Sequence, residues 1–447
     1  LLERDLWIAV MKAQRDLGLE IPDEAIEAYE KARDDVRLER IDARERELRH
    51  DVKARLEEFN DLAGYEHIHK GMTSRDLTDN VEQMQIRQAV RLVRDRYTSV
   101  LRHMAEIIRK HLSVVIAART HNVAAQPTTM GRRFAMFAQE MLKAFENIES
   151  LLERYSLRGI IGPVGTALDQ QTLFGGDTDK VAQLNAKVRQ ALGFSDQLTA
   201  VGQVYPRSLD FEVVSTLYQL GSGPSNFCRT LRLMAGHELA GEGFKEGQVG
   251  SSAMPHKMNS RSCERVNGFQ AILNGHVNMT AALAGDQWNE GDVSCSVVRR
   301  VALPDAFFAI DGQIETFLTV LNEMGVNRPV VAAELARYLP FLASTTILME
   351  SVKRGAGREA AHEAIKEHAV AVAREMREAG LKENDLPRRL GDDERIPLET
   401  SEIEAILAET ERFTGAAADQ GEAVASQIDN IVKIYVDAAA YEPGDIL

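Results

Sequence analysis

With 447 residues, 44% of them apolar, the chain is long enough to bury a large core and to divide into two or three domains. A formal net charge of −15 opposes non-specific binding to nucleic acid or to an anionic membrane, and no apolar run reaches the roughly 20 residues that a membrane helix needs. The opening Leu1-Leu-Glu-Arg-Asp5 lacks the basic flank and apolar run of a secretory signal, and Cys228, Cys263 and Cys295 have no metal-type spacing; a cytoplasmic protein without a disulfide framework or cysteine zinc site is expected.

Leu, Ala, Val and Ile supply most of the apolar content and proline is scarce at 12, a mix that favours long helices. From Asp5 to about Arg55, Leu6, Ile8, Val10, Met11 and Leu17 fall at helical spacing and predict short helices, with Pro22-Asp-Glu-Ala25 as a helix start. Met72 to Gln126 holds neither Gly nor Pro, and Val81, Met84, Ile86, Val90, Val93, Leu101, Met104 and Ile108 recur at helical steps. Even thirty such residues would form a rod of about 45 Å. A second unbroken run covers Arg132 to Arg158, and Leu209 to Leu220, Cys228 to Gly241, Arg265 to Ala284 and Pro304 to Met324 extend the series. The glycine clusters Gly159 to Gly176, Gly221-Ser-Gly-Pro224 and Gly241 to Gly250 read as connections between rods. Beyond Val330 shorter helices are expected, divided by Lys353-Arg-Gly-Ala-Gly357 and by the charged stretch Lys382 to Pro397. The expected fold is all-α, in three helical domains covering 1–75, 76–329 and 330–447, the central one a long-helix bundle whose apolar faces call for self-association.

One segment concentrates chemistry. Gly250-Ser-Ser-Ala-Met-Pro-His-Lys-Met-Asn259 packs two hydroxyls, an imidazole, an ammonium and an amide into one turn-rich loop, with Pro255 where a helix would be costly to continue. By residue type alone, Ser251 and Ser252 could be turn-forming hydroxyls, Lys257 a solvated charge and His121 a packing histidine. Gly159-Ile-Ile-Gly-Pro-Val-Gly165 invites comparison with a phosphate-binding glycine loop, but no Gly-Lys-Ser/Thr follows, so a P-loop is rejected. His67 and His69 have a spacing a metal could use, yet no third ligand is near in sequence and no metal site is expected.

The 250–259 segment matches the pattern Gly-Ser-Ser-x-Met-Pro-x-Lys-x-Asn of the fumarase/aspartase superfamily, and His256 after Pro255 resembles its adenylosuccinate lyase branch. Arg49-His-Asp-Val52, His69-Lys-Gly-Met-Thr-Ser74 with Asp76, Arg119-Thr-His121 with Pro127-Thr-Thr129, and Gln203-Val-Tyr-Pro-Arg207 support the same branch. The resemblance runs in order from about Arg49 to Leu303.

The resemblance implies β-elimination of fumarate from adenylosuccinate, and from SAICAR, its imidazole carboxamide counterpart in purine synthesis, by a homotetramer whose sites are shared between chains and need no cofactor. Elimination removes a weakly acidic C–H proton beside a carboxylate and protonates a departing nitrogen, so base, acid and anion stabiliser must coexist. On the resemblance Ser251 is the general base and His121 the general acid. Lys257 and the loop N–H groups would stabilise the serine alkoxide and the developing dianion, with Asn259 a further donor. His50 and His69 correspond to histidines that contact substrate, and Thr73 and Ser74 combine a helix N-terminus with hydroxyls suited to the succinyl carboxylates. Arg49, Lys257, Arg265 and Arg300 gather positive charge for a substrate with one phosphate and two carboxylates. Ser296 and Arg300 resemble phosphate contacts, Glu264 the acid associated with the signature lysine, and Asp51 and Gln203 further substrate-binding positions. Three features depart from the pattern. The Arg-Tyr pair that usually precedes the first Trp-containing helix is not in this sequence, Gly291 stands where many relatives have Arg, and Ser260 replaces Pro. Arg299 is the expected substitute for the arginine at 291.

Overall fold

The computed structural model describes residues 1–243, 253–254, 256–444 and 446. Ser251, the expected base, lies outside the described residues, as do Gly250, Ser252 and Pro255. The described chain is all-α, as its periodicity predicts: 18 α-helices accompany two small two-stranded sheets. It divides into two compact units. One gathers Leu1–Arg94, Phe145–Gln219 and Ala271–Ile310, the other Asp95–Ala144, Leu220–Gln270 and Asp311–Leu447.

Five long helices are Ser74–Lys110, Met130–Arg154, Ser208–Gly236, Arg261–Ala281 and Cys295–Glu323. A unit boundary falls inside each of them, so every one contributes residues to both units. In the first unit the expected short N-terminal helices pack around Trp7, Tyr29 and Phe59, with Tyr29 and Phe59 edge to face at 5.0 Å. Arg4 lies over the Phe59 ring and pairs with buried Glu58 at 2.6 Å, so its charge is compensated where its stem is packed. In the second unit Phe134, Phe137 and Phe317 all stack on Phe227, with centroids 5.3–5.6 Å away. The expected shorter helices after Val330 form around Ile347, Ala361, Leu386, Leu390 and Ile403.

Two sequence expectations are corrected. The unbroken run from Met72 to Gln126 is not one rod: the helix ends at Lys110, and Val115–Thr120 pairs antiparallel with Val123–Thr129. Val114, Val115 and Ile116 are β-branched residues that favour a strand over a further helical turn. Gly221-Ser-Gly-Pro224 is not a connection either, because it lies within Ser208–Gly236. Those glycines make room. A Cβ at Gly221 would meet Gln313 and Gln270 at 2.2 and 2.3 Å, and one at Gly223 would lie 2.6 Å from Met141 Cγ. Close packing therefore overrides the breaker tendency. A helix at Thr178–Ala191, N-capped by the Asp177 side chain, was not among the predicted rods.

Candidate active site

In the first unit the start of the Ser74–Lys110 helix is fixed by a stripe of buried polar residues at helical spacing: Asp76, Asp79, Asn80, Gln83 and Arg87. Asp76 is fully buried. Its Oδ1 accepts from Arg158 Nη1 at 2.6 Å and from the backbone N–H groups of Ile161 and Gly162 at 3.0 Å, and its Oδ2 accepts from Thr73 N at 2.9 Å. Asn80 exchanges hydrogen bonds with the backbone of Gly159, and Gln83 does so with Ser156 and Arg158. Asp79 accepts from Tyr205 N and Arg207. The glycine loop after residue 158 and the Tyr205–Arg207 segment are thereby pinned to the helix that begins with Ser74. Sequence reading followed the apolar stripe of this helix and missed the polar one; Asp-x-x-Asp-Asn-x-x-Gln spacing was its only sequence signal.

Beside this framework, His50, Asp51, Ser74, Arg75, Ser296 and Arg300 line a cavity of about 620 Å³, together with Glu82, Arg299 and an apolar wall that includes Ile86, Leu303 and Phe307. Of the predicted residues it therefore unites His50, Asp51, Ser74, Ser296 and Arg300; Arg49, His69, Thr73 and Gln203 belong to the same unit but do not line it. Three helix N-termini border the cavity: Asp51 and Ser74 each open a helix, and Ser296 is second in Cys295–Glu323. The positive ends of their helix dipoles favour an anion. His50 caps its helix by accepting from Lys53 N at 3.2 Å, directly after Arg49, whose φ of 53° is left-handed. Asp51 is held by Arg55.

His69 also has a positive φ, 65°, and its Nδ1 accepts from Trp7 Nε1 at 3.0 Å. That bond puts any remaining ring proton on Nε2, and burial pushes the imidazole below its usual range, partly opposed by Asp76. Its neighbour His67 is engaged by Lys70 at 2.8 Å. Arg299, the expected substitute for an arginine at 291, is buried and already bound to Asp210, Glu82 and Tyr205. A Cβ at Gly291 would lie 2.7 Å from Gln203 Cβ, so glycine is what lets these two segments meet. Gln203 N donates to Glu290 O in the same contact.

The second unit carries the other predicted residues. His121 is not near the end of a helix, as the sequence suggested, but at the tip of the 115–129 hairpin. His121 and Asn122, with φ of 53° and 63°, form the two-residue connection between paired Thr120 and Val123. Positive φ at both positions suits a type I′ turn, which matches the twist of the strands. His121 is exposed, and Arg119 braces the turn by donating to Asn122 O at 3.1 Å while pairing with Glu334.

Lys257 is exposed and Asn259 half-buried just before the Arg261–Ala281 helix, whose first turn carries Glu264 and Arg265. Glu264 meets Arg232 at 3.4 Å. Buried Glu242 closes the same helix start, accepting from Ser262 N at 3.1 Å and Cys263 N at 3.0 Å. Its carboxylate thus satisfies two N-terminal donors across the chain segment that holds the signature.

Among the described residues no helix is long and apolar enough to cross a membrane. The family described as "Lyase" matches residues 4–274, and that described as "Adenylosuccinate lyase C-terminus" matches residues 340–424. The adenylosuccinate lyase of Schistosoma mansoni is 32% identical over 446 residues, covering 98% of this chain and 92% of that protein. That of Saccharomyces cerevisiae is 32% identical over 424 residues, covering 94% and 88%. Similar folds occur in a fumarate lyase from Mesorhizobium sp. BNC1, with TM-score 0.78, 19% identity and 95% and 94% of the two chains covered. A 3-carboxy-cis,cis-muconate lactonizing enzyme from Pseudomonas putida gives TM-score 0.80 at 18% identity, with 96% and 94% covered. The chain belongs to the adenylosuccinate lyase family of the fumarase/aspartase superfamily.

Proposed function

We infer that this chain is a carbon–nitrogen lyase that releases fumarate from adenylosuccinate and leaves AMP. The observation that carries the reading is the meeting of His50, Ser74, Ser296 and Arg300 around one cavity bordered by helix N-termini, in a chain of this family. A protein of net charge −15 needs such a local receptor if its substrate is a polyanion.

In the reaction, the C–H proton beside the succinyl carboxylate passes to the Ser251 alkoxide, restoring its hydroxyl, and the electrons of that bond form the new C=C bond of fumarate. The C–N bond breaks with its electron pair on nitrogen, which takes a proton from His121. Lys257 and Asn259 hold the dianion that develops on the carboxylate, where each donor lowers the barrier by about 3 to 4 kcal/mol. Arg49, Asp51, His69, Thr73, Gln203, Glu264 and Arg265 orient the substrate around these groups. SAICAR, which presents the same succinylated amine and a phosphate, is the second substrate. No cofactor takes part.

Copies of the chain assemble as a homotetramer in which sites are completed between protomers. Exposed Leu233, Ile272, Val301 and Phe308 on three of the long helices support this, since such surface is ordinarily covered. We assign the protein to the cytoplasm, consistent with three buried cysteines that form no disulfide.

The test is fumarate release from adenylosuccinate, SAICAR and argininosuccinate under one condition. Turnover of the first two supports the reading. Preferential turnover of argininosuccinate moves the chain to another branch of the superfamily.

A further inference from the structure

We propose that Arg75, which no family motif singles out, binds the phosphate monoester of the nucleotide; the proposal rests on the elimination reading above and adds a residue that sets its specificity. Arg75 lines the same cavity as Ser296 and Arg300. Charged residues lining that cavity are three arginines, Arg75, Arg299 and Arg300, against two carboxylates, Asp51 and Glu82. Each of those carboxylates has an arginine partner: Asp51 pairs with Arg55, and Glu82 with Arg299, which buried Asp210 also serves.

Arg75 does have one partner, Asp79, at 3.1 Å. The same carboxylate also serves Arg207 at 3.2 Å, and the Asp79 and Arg207 side chains are 0% and 1% exposed. Arg207 has two further buried nitrogens, Nε and Nη1, with no hydrogen-bond partner among the described residues; Asp79 is its hydrogen-bonded counter-charge, with Asp210 adding to it from further away. A buried guanidinium without its counter-charge is strongly unfavourable, so the single charge of Asp79 is committed to Arg207. Arg75, with 19% of its side chain exposed, is then held in position by Asp79 but not neutralised by it. Arg300 is exposed and has no carboxylate partner among the described residues.

Two under-compensated guanidiniums thus share a cavity with the hydroxyl-bearing residues Ser74 and Ser296 and with three helix N-termini, each equivalent to roughly half a positive charge. The matching ligand group is compact, doubly charged and rich in acceptors. A phosphate monoester has all three properties, and a guanidinium can donate to it in bidentate fashion. Holding Arg75 through Asp79 fixes the fork before substrate arrives, which lowers the entropy lost on binding.

The experiment measures the Kd of AMP and of fumarate by calorimetry on the full chain, alongside adenylosuccinate turnover, for wild type, Arg75→Gln and Arg75→Lys. Arg75→Gln is expected to weaken AMP about 10- to 100-fold, with a matching rise in KM for adenylosuccinate, while kcat stays within about threefold and fumarate affinity within about twofold. Arg75→Lys recovers a large part of the AMP affinity by restoring the charge. AMP binding within twofold of wild type in Arg75→Gln overturns the proposal, as do equal losses for AMP and fumarate, which would mean general damage to the site. A wild-type protein that binds AMP but releases no fumarate overturns the elimination reading alone; weakened AMP binding in Arg75→Gln would then still support the phosphate role.

Discussion

The Arg158 guanidinium donates to the Asp76 carboxylate at 2.6 Å, and both side chains are 0% exposed. The same carboxylate receives the N–H groups of Thr73, Ile161 and Gly162, so one charge holds a buried cation, the entry to a long helix and a glycine-containing loop. Asp76→Asn leaves Arg158 buried without compensation and is expected to cost about 3–5 kcal/mol in urea unfolding. Adding Arg158→Met should recover part of that loss, because the unpaired charge is then gone. A single-variant loss below about 1 kcal/mol would show that the pair is not structural.

His121 sits at a left-handed φ of 53°, which asparagine adopts at least as readily. His121→Asn should therefore keep or raise stability by up to about 1 kcal/mol while turnover falls by about 10²- to 10⁴-fold, the range for loss of a general acid. Thermal unfolding and kcat measured on one preparation check the pair of effects. Near-normal turnover would remove His121 from the acid role.

Gly131 lies near the start of the Met130–Arg154 helix, where propensity alone favours alanine by about 1 kcal/mol. A Cβ there would lie 2.6 Å from Ile108 O and 2.9 Å from Leu112 N, and backbone atoms cannot swing aside. Overpacking prevails, so Gly131→Ala is expected to destabilise by about 1–3 kcal/mol, read as a lower urea midpoint.

His111 is 6% exposed, edge to face with Phe134 at 5.7 Å, and its Nδ1 has no hydrogen-bond partner among the described residues. Burial, with Lys110 and Arg328 adding to it, pushes its pKa down to about 4. An unfolded chain accepts the proton near the ordinary value while the folded one resists it, so stability falls as pH drops from 6.5 to about 4. Above 6.5 the group is neutral in both states and adds no slope. His111→Phe keeps a ring against Phe134 and should flatten the fall in Tm over that window; an unchanged slope would assign the acid sensitivity elsewhere.

The helical class and most of the long rods are legible because apolar residues such as Val81, Met84 and Val93 repeat at the period that buries them. The motif residues Ser74, Ser296 and Arg300, far apart in the sequence, are brought by the fold to one cavity with His50. Most of the hairpin at 115–129 lies in a stretch without glycine or proline, which by itself favours a helix; the β-branched run Val114, Val115, Ile116 and Pro127 in the second strand are the signals against one. Gly221 and Gly223 misled in the opposite sense, since a glycine needed for contact with Gln313 or Met141 has the same letter as one that ends a helix. The Asp76 network was illegible because Arg158 and Gly162 are more than 80 residues away and only folding reveals which buried carboxylate they share.

Ser251 and His121 are proposed to act on one bound substrate, each able to come from a different protomer. The most direct test mixes Ser251→Ala and His121→Ala, each nearly inactive alone, under conditions where subunit exchange is verified, and follows fumarate release from adenylosuccinate. Recovery of a substantial fraction of wild-type turnover is the predicted result. Complete exchange with no recovery would contradict the proposal.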